Sequence, residues 1–143
     1  MDFGKGWISS LQEKSPGELN VIVRAKELAR QVIEVTQKSP KQFRYTFVSK
    51  LQNLSLDVIE SLYRANDTFV AEEPDMREKL RIRLDYQHKA LTDLRILAYM
   101  ADLARENKVI LPRQHEQISR MSADCMKMLG GWMNSDKKRF GSR

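Results

Sequence analysis

Cysteine is nearly absent from this chain: Cys125 stands alone among 143 residues. That excludes an internal disulfide framework and a cysteine-built zinc site. Proline and glycine are sparse, at 4 and 6 residues, which excludes a collagenous or low-complexity chain. No apolar run approaches the roughly 20 residues that a bilayer span requires. The opening residues, Met1 to Trp7, hold no long apolar stretch of the secretory kind. Sustained alternation of apolar and polar residues is missing too, so no strands are expected. These absences lead us to expect a cytoplasmic protein with no membrane partner.

What is present is helical material. Apolar residues make up 41% of the chain and charged ones 31%, the profile of one well-charged globular domain. Lysine and arginine number 25 against 19 acids, for a formal net charge of +6. Such an excess favours a polyanionic partner, RNA or DNA before a membrane surface.

The prolines mark where helices begin. Ser15-Pro16-Gly17-Glu18 and Ser39-Pro40-Lys41-Gln42 each read as a capping box with proline at the first helical position. Pro74 and Pro112 open two more periodic segments, and Gly130-Gly131 reads as a stop. The expected helices run about Glu18 to Lys38, Lys41 to Asn66, Asp75 to Glu106 and Pro112 to Leu129. Their inward faces carry Val21, Leu28 and Val32, then Leu51, Val58 and Leu62, then Leu80, Gln87 and Leu94, then Ile118, Cys125 and Trp132. Gln87 reads as a buried, hydrogen-bonded group. Short connections between long helices predict an all-α, up-down-up-down antiparallel four-helix bundle over residues 15–132. An N-terminal extension (1–14), with Trp7, Ile8 and Leu11 as anchors, and a mobile basic tail (133–143) fall outside it.

The second helix is unusual in carrying two apolar stripes. One stripe (Phe43, Phe47, Leu51, Leu54, Val58, Leu62, Ala65) faces the core. Roughly opposite stand Tyr45, Val48, Leu56, Ile59 and Tyr63, which we read as an oligomer interface, a helix covered by its own chain being the plainer alternative.

Arg77, Arg81, His88 and Arg95 follow one strip of the third helix, with Tyr99 continuing it. A row of guanidinium groups suits phosphates, and an aromatic side chain can stack on a base. Arg113, Arg120 and Lys127 recur every seven residues on the fourth helix, with Lys137, Lys138 and Arg139 beyond. The competing reading is a solvated face, in which Glu116 simply pairs with Arg120. No motif for catalysis or metal binding emerges: the two histidines, His88 and His115, lie on different helices, and no Glu-x-x-His pair occurs. We therefore expect no enzyme and no cofactor.

Several blocks resemble a known family: Ser39-Pro40-Lys41-Gln42-Phe43-Arg44, Leu51-Gln52-Asn53-Leu54, Leu62-Tyr63-Arg64-Ala65-Asn66, the run Leu84 to Leu94, and Trp132-Met133-Asn134-Ser135-Asp136-Lys137. They are similar to the accessory variability determinant (Avd) proteins of diversity-generating retroelements. That family lies within a wider group of four-helix-bundle proteins, including those encoded in intervening sequences of 23S ribosomal RNA genes. The likeness spans roughly residues 18 to 140. It implies a homopentameric ring of bundles with a basic surface. Such a ring binds template-repeat RNA or DNA and associates with a reverse transcriptase that makes mutagenised cDNA. An intervening-sequence-type bundle, or a structural oligomer without nucleic-acid function, are the alternatives.

Overall fold

Apolar residues at steps of three and four put one side of α1 (Pro16–Thr36) into the core, where Val21, Ala25, Leu28 and Val32 are at most 1% exposed. The same spacing buries Leu51, Val58, Leu62 and Ala65 of α2 (Ser49–Asp67) and Leu94, Leu97 and Ala101 of α3 (Met76–Glu106). On α4 (Pro112–Phe140) it buries Ile118, Cys125 and Leu129. Each fully buried leucine contributes about 1.5–3 kcal/mol through apolar transfer. The structure is a computed structural model that describes residues 16–71 and 74–141. Among the described residues it is all-helical, with four long helices and no strand. The expected 1–14 extension and the capping box at Ser15 lie outside the described residues.

Contacts between helices fix their directions. Gln52, early in α2, donates to Thr36 Oγ1 at the end of α1 at 2.9 Å, while Lys26 of α1 sits 5.0 Å from the ring centre of Tyr63, late in α2. Gln31 of α1 meets Gln117 at the start of α4 at 3.0 Å. Arg83 near the start of α3 meets Asp136 near the end of α4. Successive helices are antiparallel, and α4 returns to α1. That is the four-helix arrangement expected from the short connections.

Three local features depart from the expectation. The capping box at Ser39 does not form: its hydroxyl donates instead to the Val109 carbonyl at 2.8 Å, joining the α1–α2 turn to the α3–α4 turn. The second helix is also not continuous. Lys41–Phe43 is a 3₁₀ turn and Arg44–Val48 a π turn, after which the Ser49 N–H reaches back to the Arg44 carbonyl. The extra residue that a π turn absorbs leaves Phe43 and Phe47 half-buried.

The third departure is α4, which does not stop at Gly130-Gly131 but continues to Phe140. A Cβ on either glycine would meet nothing within 4 Å, so no close contact demands glycine there. Mid-helix glycine costs about 1 kcal/mol relative to alanine. Tertiary contacts outweigh that cost, because Trp132, Met133 and Asp136 beyond the glycines are all buried. Phe140 packs against a small second core of Val70, Met76 and Leu80. The stretch expected to be a mobile tail from residue 133 therefore belongs to the bundle as far as Phe140.

The α3–α4 turn closes with Lys108 in the left-handed region, φ 59°. Val109 N–H donates to the Ala104 carbonyl at 2.8 Å and Lys108 N–H to the Arg105 carbonyl at 3.1 Å. This pair of bonds is the Schellman pattern, with lysine where glycine is usual.

Candidate nucleic-acid interface

At about 100° per residue, Arg77, Arg81, His88 and Arg95 fall within about 40° of one another on the wheel of α3, and the row is about 27 Å long. All four are exposed, and Tyr99 continues the row at 64% exposure. On α4, Arg113, Arg120 and Lys127 are also exposed and face away from the buried Ile118–Leu129 side. Lys137, Lys138 and Arg139 are exposed as well. They occupy the last helical turns rather than a flexible tail, and the Arg139 guanidinium lies 4.9 Å from the Phe140 ring centre. Cations there complement the negative end of the helix dipole, which is a structural use for the cluster alongside any functional one.

Their electrostatic settings differ. Arg81 bonds Glu78 at 2.7 Å and Asp85 at 3.1 Å, so part of its charge is met within its own helix. The hydrogen bond from Arg81 holds the Glu78 carboxyl below its ordinary range and raises the guanidinium correspondingly. Arg120 bonds Glu116 at 3.2 Å, the pairing that the sequence spacing suggested. His88, Arg95, Arg113, Lys127, Lys137 and Lys138 form no ion pair among the described residues. Ion pairs between exposed side chains are weak and open to exchange, so Arg81 and Arg120 can still turn to a phosphate.

The expected subunit contact divides. Ile59 and Tyr63 are half-buried and pack against the chain's own core, where Lys26 caps the Tyr63 ring. Val48 is half-buried and, with Tyr45, lines a cleft at the α1–α2 turn. Leu56 is 48% exposed and Tyr45 86%.

Sequence spacing gave no weight to the buried network between α3 and α4. Arg83 Nε and Nη2 bond Asp136 Oδ2 and Oδ1 at 2.8 and 3.1 Å, a two-point pairing. Gln87 Nε2 also donates to Asp136 Oδ2 at 2.8 Å, so Gln87 is the buried hydrogen-bonded group that its place on the core face suggested. The guanidinium stands 5.0 Å over Trp132. A signal existed, since Arg83 and Asp136 both stand at core positions of their helices, one positive and one negative. The network holds α4 in register beyond the glycines, and so sets where Lys137 and Lys138 lie.

Two groupings touch on catalysis. Ser119, His115 and Asp102 come together, with Ser119 Oγ 3.0 Å and Asp102 Oδ1 3.7 Å from the same ring nitrogen, Nε2. An acyl-transfer relay needs serine and acid on opposite nitrogens, and Asp102 is already held by Arg105 at 2.7 Å, which keeps its carboxyl below the usual range. Burial, with Asp124 adding to it, pushes the Cys125 thiol up to about 11, the opposite of an activated nucleophile. No cluster of three or more metal-ligating side chains occurs among the described residues, and none of their helices is long and apolar enough to cross a membrane.

No family model matches this chain, and no curated protein matches it.

Proposed function

We propose that this chain is a non-enzymatic, oligomeric accessory protein that holds RNA or DNA along the outer faces of α3 and α4. In this reading it works beside a retroelement reverse transcriptase during mutagenic copying of a template-repeat RNA. The observation that supports it most is the set of exposed cations without an ion pair among the described residues on two adjacent helices: Arg95 on one, Arg113, Lys127 and Lys138 on the other. Tyr99 adds an exposed ring in the same row. The retroelement setting and the five-fold ring rest on the sequence resemblance. A reverse-transcriptase gene flanked by template and variable repeats beside the gene for this chain is the expected finding. Its absence would remove the retroelement part of the reading. The pairing of Arg81 and Arg120 with their own helices favours a second reading, a structural oligomer whose charge serves solubility.

Copies would meet through Leu56 and the outer edges of Ile59 and Tyr63; of the same stripe the core also leaves Tyr45 exposed. Leu56→Glu is then expected to reduce the light-scattering mass of the oligomer to that of one 16.7 kDa chain, with helical content unchanged by circular dichroism. A wild-type mass already equal to one chain would refute the oligomer.

A further inference from the structure

A polar cleft lies away from the α3 and α4 rows. At the α1–α2 turn the 3₁₀ and π turns bend the chain around a cleft of about 510 Å³, within the range of small-molecule sites. Its lining includes Lys41, Arg44, Tyr45, Ser49, Gln52 and Asn53, and no acidic residue. Lys41 and Arg44 are exposed and form no ion pair among the described residues. The charge of this space is therefore of one sign.

The π turn matters for what the cleft displays. Phe43 and Phe47 turn toward the core and pack edge to face, with ring centres 5.8 Å apart. Tyr45 stands between them in sequence and is 86% exposed, a bare aromatic face at the cleft. The floor is already organised. Gln52 Nε2 donates to Thr36 Oγ1, whose own hydroxyl donates to the Val32 carbonyl at 2.7 Å. Asn53 Nδ2 donates to Ser49 Oγ at 3.3 Å. These bonds use one N–H of each amide and leave Gln52 Oε1 and Asn53 Oδ1 as acceptors. At the end of α1, Ile33, Val35 and Thr36 accept the N–H groups of Gln37, Lys38 and Ser39, and Lys41 and Arg44 offset the negative end of that helix's dipole. Lys108 adds charge at this end of the bundle, next to the Val109 carbonyl that Ser39 holds.

Cations without acids, an exposed ring and amide oxygens are the three elements that bind a phosphate, a flat heterocycle and its exocyclic amine. We propose that this cleft binds a nucleoside phosphate, with Lys41 and Arg44 on the phosphate and Tyr45 stacked on the base. Gln52 and Asn53 accept from the edge of the base. A free mononucleotide and the phosphorylated end of a strand carry the same chemistry. The site does not depend on the nucleic-acid rows of α3 and α4.

Nitrogen–proton correlation spectra of the full chain, titrated with adenosine monophosphate, test the assignment. Saturable shifts are expected among residues 41–53, with affinity at least ten-fold above that for adenosine. Lys41→Gln with Arg44→Gln should weaken the nucleotide ten-fold or more without moving the thermal midpoint. Tyr45→Ala should weaken the nucleotide about five-fold or more and leave binding of inorganic phosphate unchanged. Arg95→Gln with Lys127→Gln should leave nucleotide affinity unchanged, which separates this site from the rows. Shifts that avoid residues 41–53, equal affinity for adenosine, or an unaltered affinity in the Lys41/Arg44 variant would overturn the proposal. A 5′-phosphorylated tetranucleotide distinguishes the sources. Tighter binding than the mononucleotide, lost in the Lys41/Arg44 variant, assigns a strand end, whereas equal binding assigns the free nucleotide.

Discussion

Asp136→Asn is expected to lower the free energy of unfolding in urea by about 3–5 kcal/mol, the usual range for breaking a buried ion pair from one side. Asp136 is fully buried, and Arg83 is 6% exposed. The substitution takes a two-point carboxylate from a buried guanidinium and an acceptor from Gln87. A loss of that size is a large share of the 5–15 kcal/mol that typically holds a domain together. Replacing all three partners, as Arg83→Met, Gln87→Leu and Asp136→Leu, should bring stability back to within about 1 kcal/mol of wild type, because the desolvation of the charges disappears with them. If Asp136→Asn alone were as stable as wild type, the network would not be what fixes the end of α4. The effect reaches function through geometry, since Lys137 and Lys138 follow directly on Asp136 along the same turn.

Arg95→Glu, Lys127→Glu and Lys138→Glu, combined in one chain, should reduce affinity for structured RNA by about 100-fold at moderate salt. The plot of log affinity against log salt should become shallower by about 2–3, since each lost phosphate contact removes about 0.7–0.9 from the slope. All three positions are exposed, so the thermal midpoint should not move. Filter binding over a salt series measures both quantities. Unchanged binding would shift the interface off α3 and α4.

The apolar faces of α1, α3 and α4 were legible because helix period and burial are one geometric fact. Leu28, Leu94 and Ile118, read as inward, are all fully buried. The π turn at Arg44–Val48 was not legible, because apolar residues continue at helical steps straight through it. Gly130-Gly131 misled for a physical reason: glycine weakens a helix locally, and the contacts that carry α4 past it (Trp132, Asp136, Phe140) come from distant parts of the chain. The second stripe of α2 carried too little information to separate its members. Ile59 and Tyr63 found partners in the chain's own core, while Tyr45 and Leu56 did not. Exposure of the basic rows followed from the wheel, and the Glu116–Arg120 pair from its spacing. The cleft was beyond reach, because it exists only where the α1–α2 turn and the π turn fold toward each other.

Nucleic-acid binding by this chain requires that the cations of α3 and α4 meet phosphates. The direct measurement is the affinity of the wild-type chain for a structured RNA between about 50 and 200 mM salt. With about five phosphates contacted, affinity should fall by about 100-fold or more across that range. Binding that stays level as the salt rises, or no binding at the lowest salt, would contradict it.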